Sequence, residues 1–305
     1  MKVRFWGVRG SIPSPGATTQ KYGGNTACTE LRVGPDNRII IIDAGSGIRS
    51  LGNAIMANDL PRGPIRADIF LSHTHWDHIM GYPFFTPIYI PGTKLKVHGP
   101  MSFEDDPLRE VVGGQMKYRY FPINFGELAS DIEYVRLKED PDIDLGGGLR
   151  LSTKLLNHPI SALGYRFEYE GRTFCTCYDT EPFRNLFITD PDDPAYDEAM
   201  AFEGEEVAAE QNLAVEQFFS GADLLIYDSQ YTDAEYTSRI NWGHTTMEYA
   251  IAAANRAGVK RLAMFHHDPD RSDDTLDELA KIYCEPGKYG ETEVFFAREG
   301  MEIEL

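Results

Sequence analysis

The chain has 305 residues, 42% hydrophobic and 25% charged, with a formal net charge of −19. This composition fits an ordinary globular protein, while the acidity weighs against one built to grip a long polyanion, since phosphate contacts need Lys and Arg. No run approaches the roughly 20 apolar residues that cross a bilayer, so a membrane role is excluded.

The first residues, Met1 to Gly7, read as a strand and not as a signal peptide: there is no apolar h-region and no small-residue cleavage site. The four cysteines, Cys28, Cys175, Cys177 and Cys284, are irregularly spaced, which predicts reduced thiols and a cytoplasmic protein. Strands are expected over 2–9, 27–33 and 38–43, the last carrying four consecutive isoleucines. A helix follows over 48–58, then strands over 68–72 and 95–98 and a helix over 106–112. In the second half, strands are expected over 149–156, 165–169 and 173–177, the last two as a hairpin turned by Glu170-Gly171-Arg172. Residues 181–206, acidic and rich in turn formers, read as an insertion or lid. A helix over 213–219, strands over 222–227 and 261–265, helices over 246–256 and 274–283, and strands over 293–298 and 301–305 complete the series. The expectation is one α/β domain over residues 1–305, with two mixed β-sheets face to face and helices outside.

The most informative stretch is His73-Thr74-His75-Trp76-Asp77-His78, which holds three of the chain's eight histidines. Four ligand-capable side chains this close cannot pack as a core, because each needs a partner; a metal supplies it. The run follows the apolar Ile69-Phe70-Leu71, so the ligands sit at a strand's C-terminal end, where α/β sheets carry their sites. His158, Asp179 and His266 each end a further apolar strand. With the run they make seven donors, enough for two adjacent ions if one carboxylate bridges them.

This pattern resembles the metallo-β-lactamase superfamily, whose αββα sandwich carries a dinuclear site between two sheets. The resemblance implies that His73, His75 and His158 hold one ion, that Asp77, His78 and His266 hold the other, and that Asp179 bridges. It also implies that Asp43, in Ile42-Asp43-Ala44-Gly45, supports the loop without ligating. Within the superfamily the chain looks most like the phosphodiesterase branch that includes ribonuclease Z and the cyclic-phosphate and cyclic-nucleotide phosphodiesterases. Three features carry this: the opening Trp6-Gly7-Val8-Arg9-Gly10-Ser11-Ile12-Pro13 with Gly23-Gly24-Asn25-Thr26, aspartate at 179, and Gly243-His244-Thr245-Thr246.

The last element has its own physics. Thr245 as N-cap and Glu248 at N3 would form a capping box, which puts His244 just before a helix N-terminus, where an anion is favoured. His244 there would hydrogen-bond a phosphoryl oxygen or protonate a leaving oxygen, and Asp228 would orient it. Of the remainder, His98 reads as structural, His266 is preferred over His267 as a donor, Cys175 and Cys177 read as buried filler that shares the face of Asp179, and Trp76 is expected to pack under the metal loop.

The expected activity is hydrolysis of small phosphodiesters, such as cyclic nucleotides or cyclic phosphates, by a hydroxide shared between two divalent ions, with Asp77, His244 and Asp228 as the catalytic residues. Zinc is the default ion, with Mn or Fe left open by Asp77 and Asp179. The absence of a Lys-rich arm argues against a long nucleic acid as partner, and a homodimer is left open. The competing readings are an RNA-processing nuclease, a lactone or thioester hydrolase on the same site, and a non-catalytic metal sensor.

Overall fold

The computed structural model describes residues 1–101 and 106–305. In chain order its elements are β1 (Lys2–Gly7), β2 (Cys28–Val33), β3 (Arg38–Ile42), α1 (Ile48–Asn58), β4 (Arg66–Phe70), α2 (Trp76–Ile79), β5 (Lys94–Pro100), α3 (Leu108–Gly113), β6 (Asp131–Leu137) and β7 (Asp140–Gly146). There follow β8 (Leu149–Leu156), β9 (Ala162–Tyr169), β10 (Arg172–Cys177), α4 (Glu198–Phe218), β11 (Leu224–Asp228), α5 (Asp233–Tyr236), α6 (Met247–Arg256), β12 (Arg261–Phe265), α7 (Asp273–Tyr283), β13 (Glu293–Phe296) and β14 (Glu302–Glu304). They build two seven-stranded sheets, ordered β14-β1-β2-β3-β4-β5-β6 and β13-β12-β11-β10-β9-β8-β7. In each sheet a parallel set (β3 to β6, and β10 to β13) adjoins an antiparallel one.

The isoleucine run shows why the sheets stack. Successive side chains on a strand face opposite ways. Ile40 and Ile42 enter the core between the sheets, with Phe70, Phe167, Phe174, Ile226 and Phe265. Ile39 and Ile41 enter an outer core under α1. The second sheet repeats the device: Ile226 points inward, while Leu225, Leu262 and Met264 pack outward under α6 and α7. A strand buried on both faces needs an apolar run, and β3, β11 and β12 supply one over 39–42, 224–227 and 262–265. The expected αββα sandwich is therefore the fold.

The C-terminal strand β14 pairs with β1 and so completes the first sheet. Two expectations are corrected. The helix expected over 213–219 begins at Glu198, with Asp197 capping it through Met200 N (3.0 Å), so the back part of the acidic segment is helical. Its front part is pinned to that helix, where Asn212 exchanges two hydrogen bonds with the Phe183 backbone. Strands β6 and β7 were not expected. β7 (DPDIDLG) has little strand propensity of its own, and pairing with β8 imposes its conformation. Among the described residues the four cysteines are free, and no helix is long and apolar enough to cross a membrane.

Candidate active site

The seven donors named from the sequence converge at the C-terminal ends of the inner strands, and they fall into two groups of four. His73, His75, His158 and Asp179 form one; Asp77, His78, Asp179 and His266 form the other. In the first group His75 Nδ1 lies 3.1 Å from both His73 Nε2 and His158 Nε2, and His73 Nε2 lies 3.5 Å from Asp179 Oδ2. In the second, His78 Nε2 lies 3.3 Å from Asp77 Oδ2 and 3.2 Å from Asp179 Oδ1, and His266 Nε2 lies 3.2 and 3.3 Å from the same two oxygens. Asp179 thus offers one oxygen to each group.

The donor set fits divalent ions on three grounds. Donors about 2.0–2.1 Å from a tetrahedral ion lie about 3.3 Å from one another, close to the edges observed. His78 Nε2 and Asp179 Oδ1 are buried without a hydrogen-bond partner, which is costly unless something else meets them. Third, the imidazoles are oriented as ligands. His78 Nδ1 donates to Asp43 Oδ2 (2.6 Å), His158 Nδ1 to Gly243 O (2.9 Å) and His266 Nδ1 to Gln230 Oε1 (2.9 Å). Partners that only accept fix the proton on Nδ1 and turn the Nε2 lone pair inward. Ser72 does the same for His73 through Oγ (3.1 Å), while its hydroxyl donates to Asp43 (2.7 Å).

Burial pushes the His73 imidazole well below its ordinary pKa and His158 down to about 4, so both stay neutral, as ligation requires. His78 runs the other way: burial opposes its charge, yet Asp179, Asp77 and Asp43 around it raise its pKa. A cation between those carboxylates would take the place of that proton.

The backbone is bent to make this geometry. Asp43 (φ 61°), Asp179 (φ 22°) and His266 (φ 61°) adopt left-handed conformations that cost a non-glycine residue energy. Gly10 and Gly243 are required for a different reason: a Cβ on either would come within 2.3 Å of a ring atom of His266 or of His158 Nδ1.

His244 stands beside both groups. Its ring stacks on His266 (4.8 Å between centroids), and its Nδ1 donates to Asp228 Oδ2 (2.7 Å). Burial lowers its pKa, but Asp228 beside it, with Asp179 and Asp77, raises it to about 9, so it carries a proton near neutrality. Asp228 is itself buried, held by the backbone N–H groups of Thr180, Gln230 and Thr245.

The helix cap is corrected: Thr246, not Thr245, caps α6 through Tyr249 N (3.1 Å), and Glu248 turns to Tyr283 and Asp233 instead. His244 is held by Asp228 rather than by the helix end. Trp76 is also corrected, being 77% exposed and directed away from a loop interior filled by the donors. Cys175 and Cys177 pack outward with Met247 and Leu225, whereas the turn at Asp179 sends its carboxylate to the opposite side. His98 is structural, bonded to Asp68 (3.1 Å) and stacked on Phe70, and His267 is spent on Ala297 O (2.8 Å).

The sequence reading missed Gln230, Ser11 and Glu181. Ser11 N donates to Asp77 Oδ2 (2.7 Å). Glu181 accepts from Asn241 N (2.9 Å), Gly243 N (3.0 Å) and the Tyr236 hydroxyl, and so fixes the loop that carries Gly243 and His244. Only Ser11 lies in a motif that had drawn attention.

Fold and donor set together define a metal-dependent hydrolase. Residues 22–207 match the metallo-beta-lactamase superfamily, and the chain belongs to it. A ribonuclease Z of Synechococcus sp. (strain CC9311) is 24% identical over 93% of this chain and 94% of its own length. Two solved structures share the fold: yeast PDE1 (TM-score 0.64, 12% identity, 100% of this chain and 99% of that one) and the short form of human tRNase Z (TM-score 0.61, 18% identity, 100% and 99%).

Proposed function

We propose that the protein hydrolyses phosphodiester bonds, with His73, His75, His158, Asp77, His78 and His266 as donors to two ions and Asp179 between them. The observation that carries this is the pair of a buried Asp228 and a partly covered His244 set against the donors. A hydrolytic centre needs a nucleophile, whatever the substrate. A protonated imidazole held at 2.7 Å by a buried carboxylate adds a proton donor for a departing alkoxide. Bound ions, zinc by the imidazole-rich donor set, supply the charge that acidifies water and neutralises phosphoryl oxygens. Asp228 keeps His244 Nδ1 engaged, so Nε2 is the atom that gives up its proton. The backbone N–H of Ser11 and the Gln230 amide hold Asp77 and His266 in place throughout.

The preferred substrate is a small diester. A net charge of −19 opposes a polyanion, because neutralising phosphates takes clustered Lys and Arg. One observation favours RNA instead: the relative that spans nearly the whole chain is named ribonuclease Z. Turnover of bis-p-nitrophenyl phosphate, of a 2′,3′-cyclic nucleotide and of a precursor tRNA, each at 50 and 200 mM salt, separates the two. A small-ester enzyme keeps kcat/KM on the first two within about two-fold across that range, whereas a nuclease loses on the order of 10³-fold on RNA. The His244→Ala variant is expected to retain its ions and to lose about 10²- to 10⁴-fold in kcat. Full turnover in that variant with both ions bound would remove His244 from the reaction.

A further inference from the structure

Tryptophan is among the residues most buried on average, yet two of the chain's three tryptophans are exposed, Trp76 at 77% and Trp242 at 60%. Both sit at the site. Trp76 lies between the donors His75 and Asp77, and Trp242 immediately precedes Gly243. One imidazole links their neighbours: His158 Nε2 is 3.1 Å from His75 Nδ1, and His158 Nδ1 is 2.9 Å from Gly243 O. His75 and His244 are only partly covered, unlike His73, His78 and His266, so the centre is accessible at the two histidines that lie beside Trp76 and Trp242 in the chain. Neither indole can retreat easily. Trp76 starts the short helix α2 that carries Asp77 and His78, and the peptide after Trp242 is clamped by Glu181.

Resting on the phosphodiester reading above, we infer that Trp76 and Trp242 are specificity residues that form aromatic walls for the organic part of the substrate, a nucleobase or comparable planar ring. Every nucleobase has a π-face, and an indole offers a large, rigid partner with few torsions to freeze. The place suits the task, because a phosphoryl group at the buried donors would leave its esterified nucleoside outside them, where His75, His244 and the two exposed indoles are reachable.

The experiment compares two diesters with the same leaving group, p-nitrophenyl thymidine 5′-phosphate and methyl p-nitrophenyl phosphate, on zinc-loaded wild type, Trp76→Ala, Trp242→Ala and the two Phe variants, with ion content measured in each. Either alanine variant is expected to raise KM for the thymidine ester about ten- to a hundred-fold, with kcat held within about two-fold, and to leave the methyl ester unchanged; phenylalanine restores most of the loss. Equal effects on both esters, or none on either, overturn the inference and leave the phosphodiester reading intact. If the wild type hydrolyses neither ester, that reading falls, and tryptophan fluorescence then decides alone. Saturable quenching by adenosine 5′-monophosphate that each alanine variant weakens keeps the aromatic walls, and absence of quenching removes them.

Discussion

The two donor groups share Asp179 but are built differently. The first has three imidazoles, one of them the partly covered His75, and its support comes from neutral groups, Ser72 Oγ and Gly243 O. The second is buried throughout, alternates imidazoles with carboxylates, and is braced by the charge of Asp43 behind His78 and by Ser11 N on Asp77. The difference teaches that one fold can present a soft, nitrogen-rich pocket next to a harder, more anionic one. The first should hold zinc selectively, while the second, with Asp77 and Asp179 both facing it, should also accept manganese.

The strongest way to break this contrast is to remove what the groups have in common. Asp179→Ala takes one oxygen from each and leaves His78 Nε2 and His266 Nε2 facing a single carboxylate. Ion content by mass spectrometry is expected to fall from two equivalents to one or fewer. Turnover is expected to fall on the order of 10³-fold or more, since the ions are worth several kcal/mol to the transition state. Retention of two tightly bound ions would show that Asp179 does not bridge.

A finer test separates the groups. Asp43 touches only the second, through His78 Nδ1 (2.6 Å), although its other contacts, Ser72 N (2.6 Å) and Ser72 Oγ (2.7 Å), run towards His73. Replacing a carboxylate that orients a ligating imidazole weakens metal affinity about 10- to 100-fold. In Asp43→Asn the second ion should therefore dissociate that much more readily on titration with a chelator, and the first should shift less. Equal weakening of both would mean that Ser72 transmits the change and that the two supports are not independent.

How much of this was legible follows the same division. The run from His73 to His78 announces itself because one strand-end loop carries four donors, so no fold is needed to see it. His158, Asp179 and His266 were visible as polar residues that end apolar strands, a signal that works because inner strands must be apolar. The supports were not visible. Gln230 and Ser11 are ordinary residues whose roles arise only when the sheets stack and bring His266 to Asp77 across 189 positions of sequence. The errors have one cause as well: the box expected at Thr245 and the packing expected of Trp76 were local rules, and each was overruled by a contact from elsewhere, Asp228 on one and the donor-filled loop interior on the other.

The smallest effect tests where the site ends. Cys177 is two residues from Asp179, close enough in sequence for a soft donor, yet it is fully buried on the outer face of its sheet, where burial drives the thiol pKa up. A thiol kept neutral in an apolar layer acts as a small hydrophobe. Cys177→Ser exchanges it for a hydroxyl that must find a partner there, at a cost of about 1–3 kcal/mol if it finds none. The expected outcome is a lower Tm with ion content, zinc-over-manganese preference and kcat unchanged. If the variant instead lost its first ion, the thiol would belong to the nitrogen-rich group, and the contrast between the two pockets would have to be redrawn around sulfur.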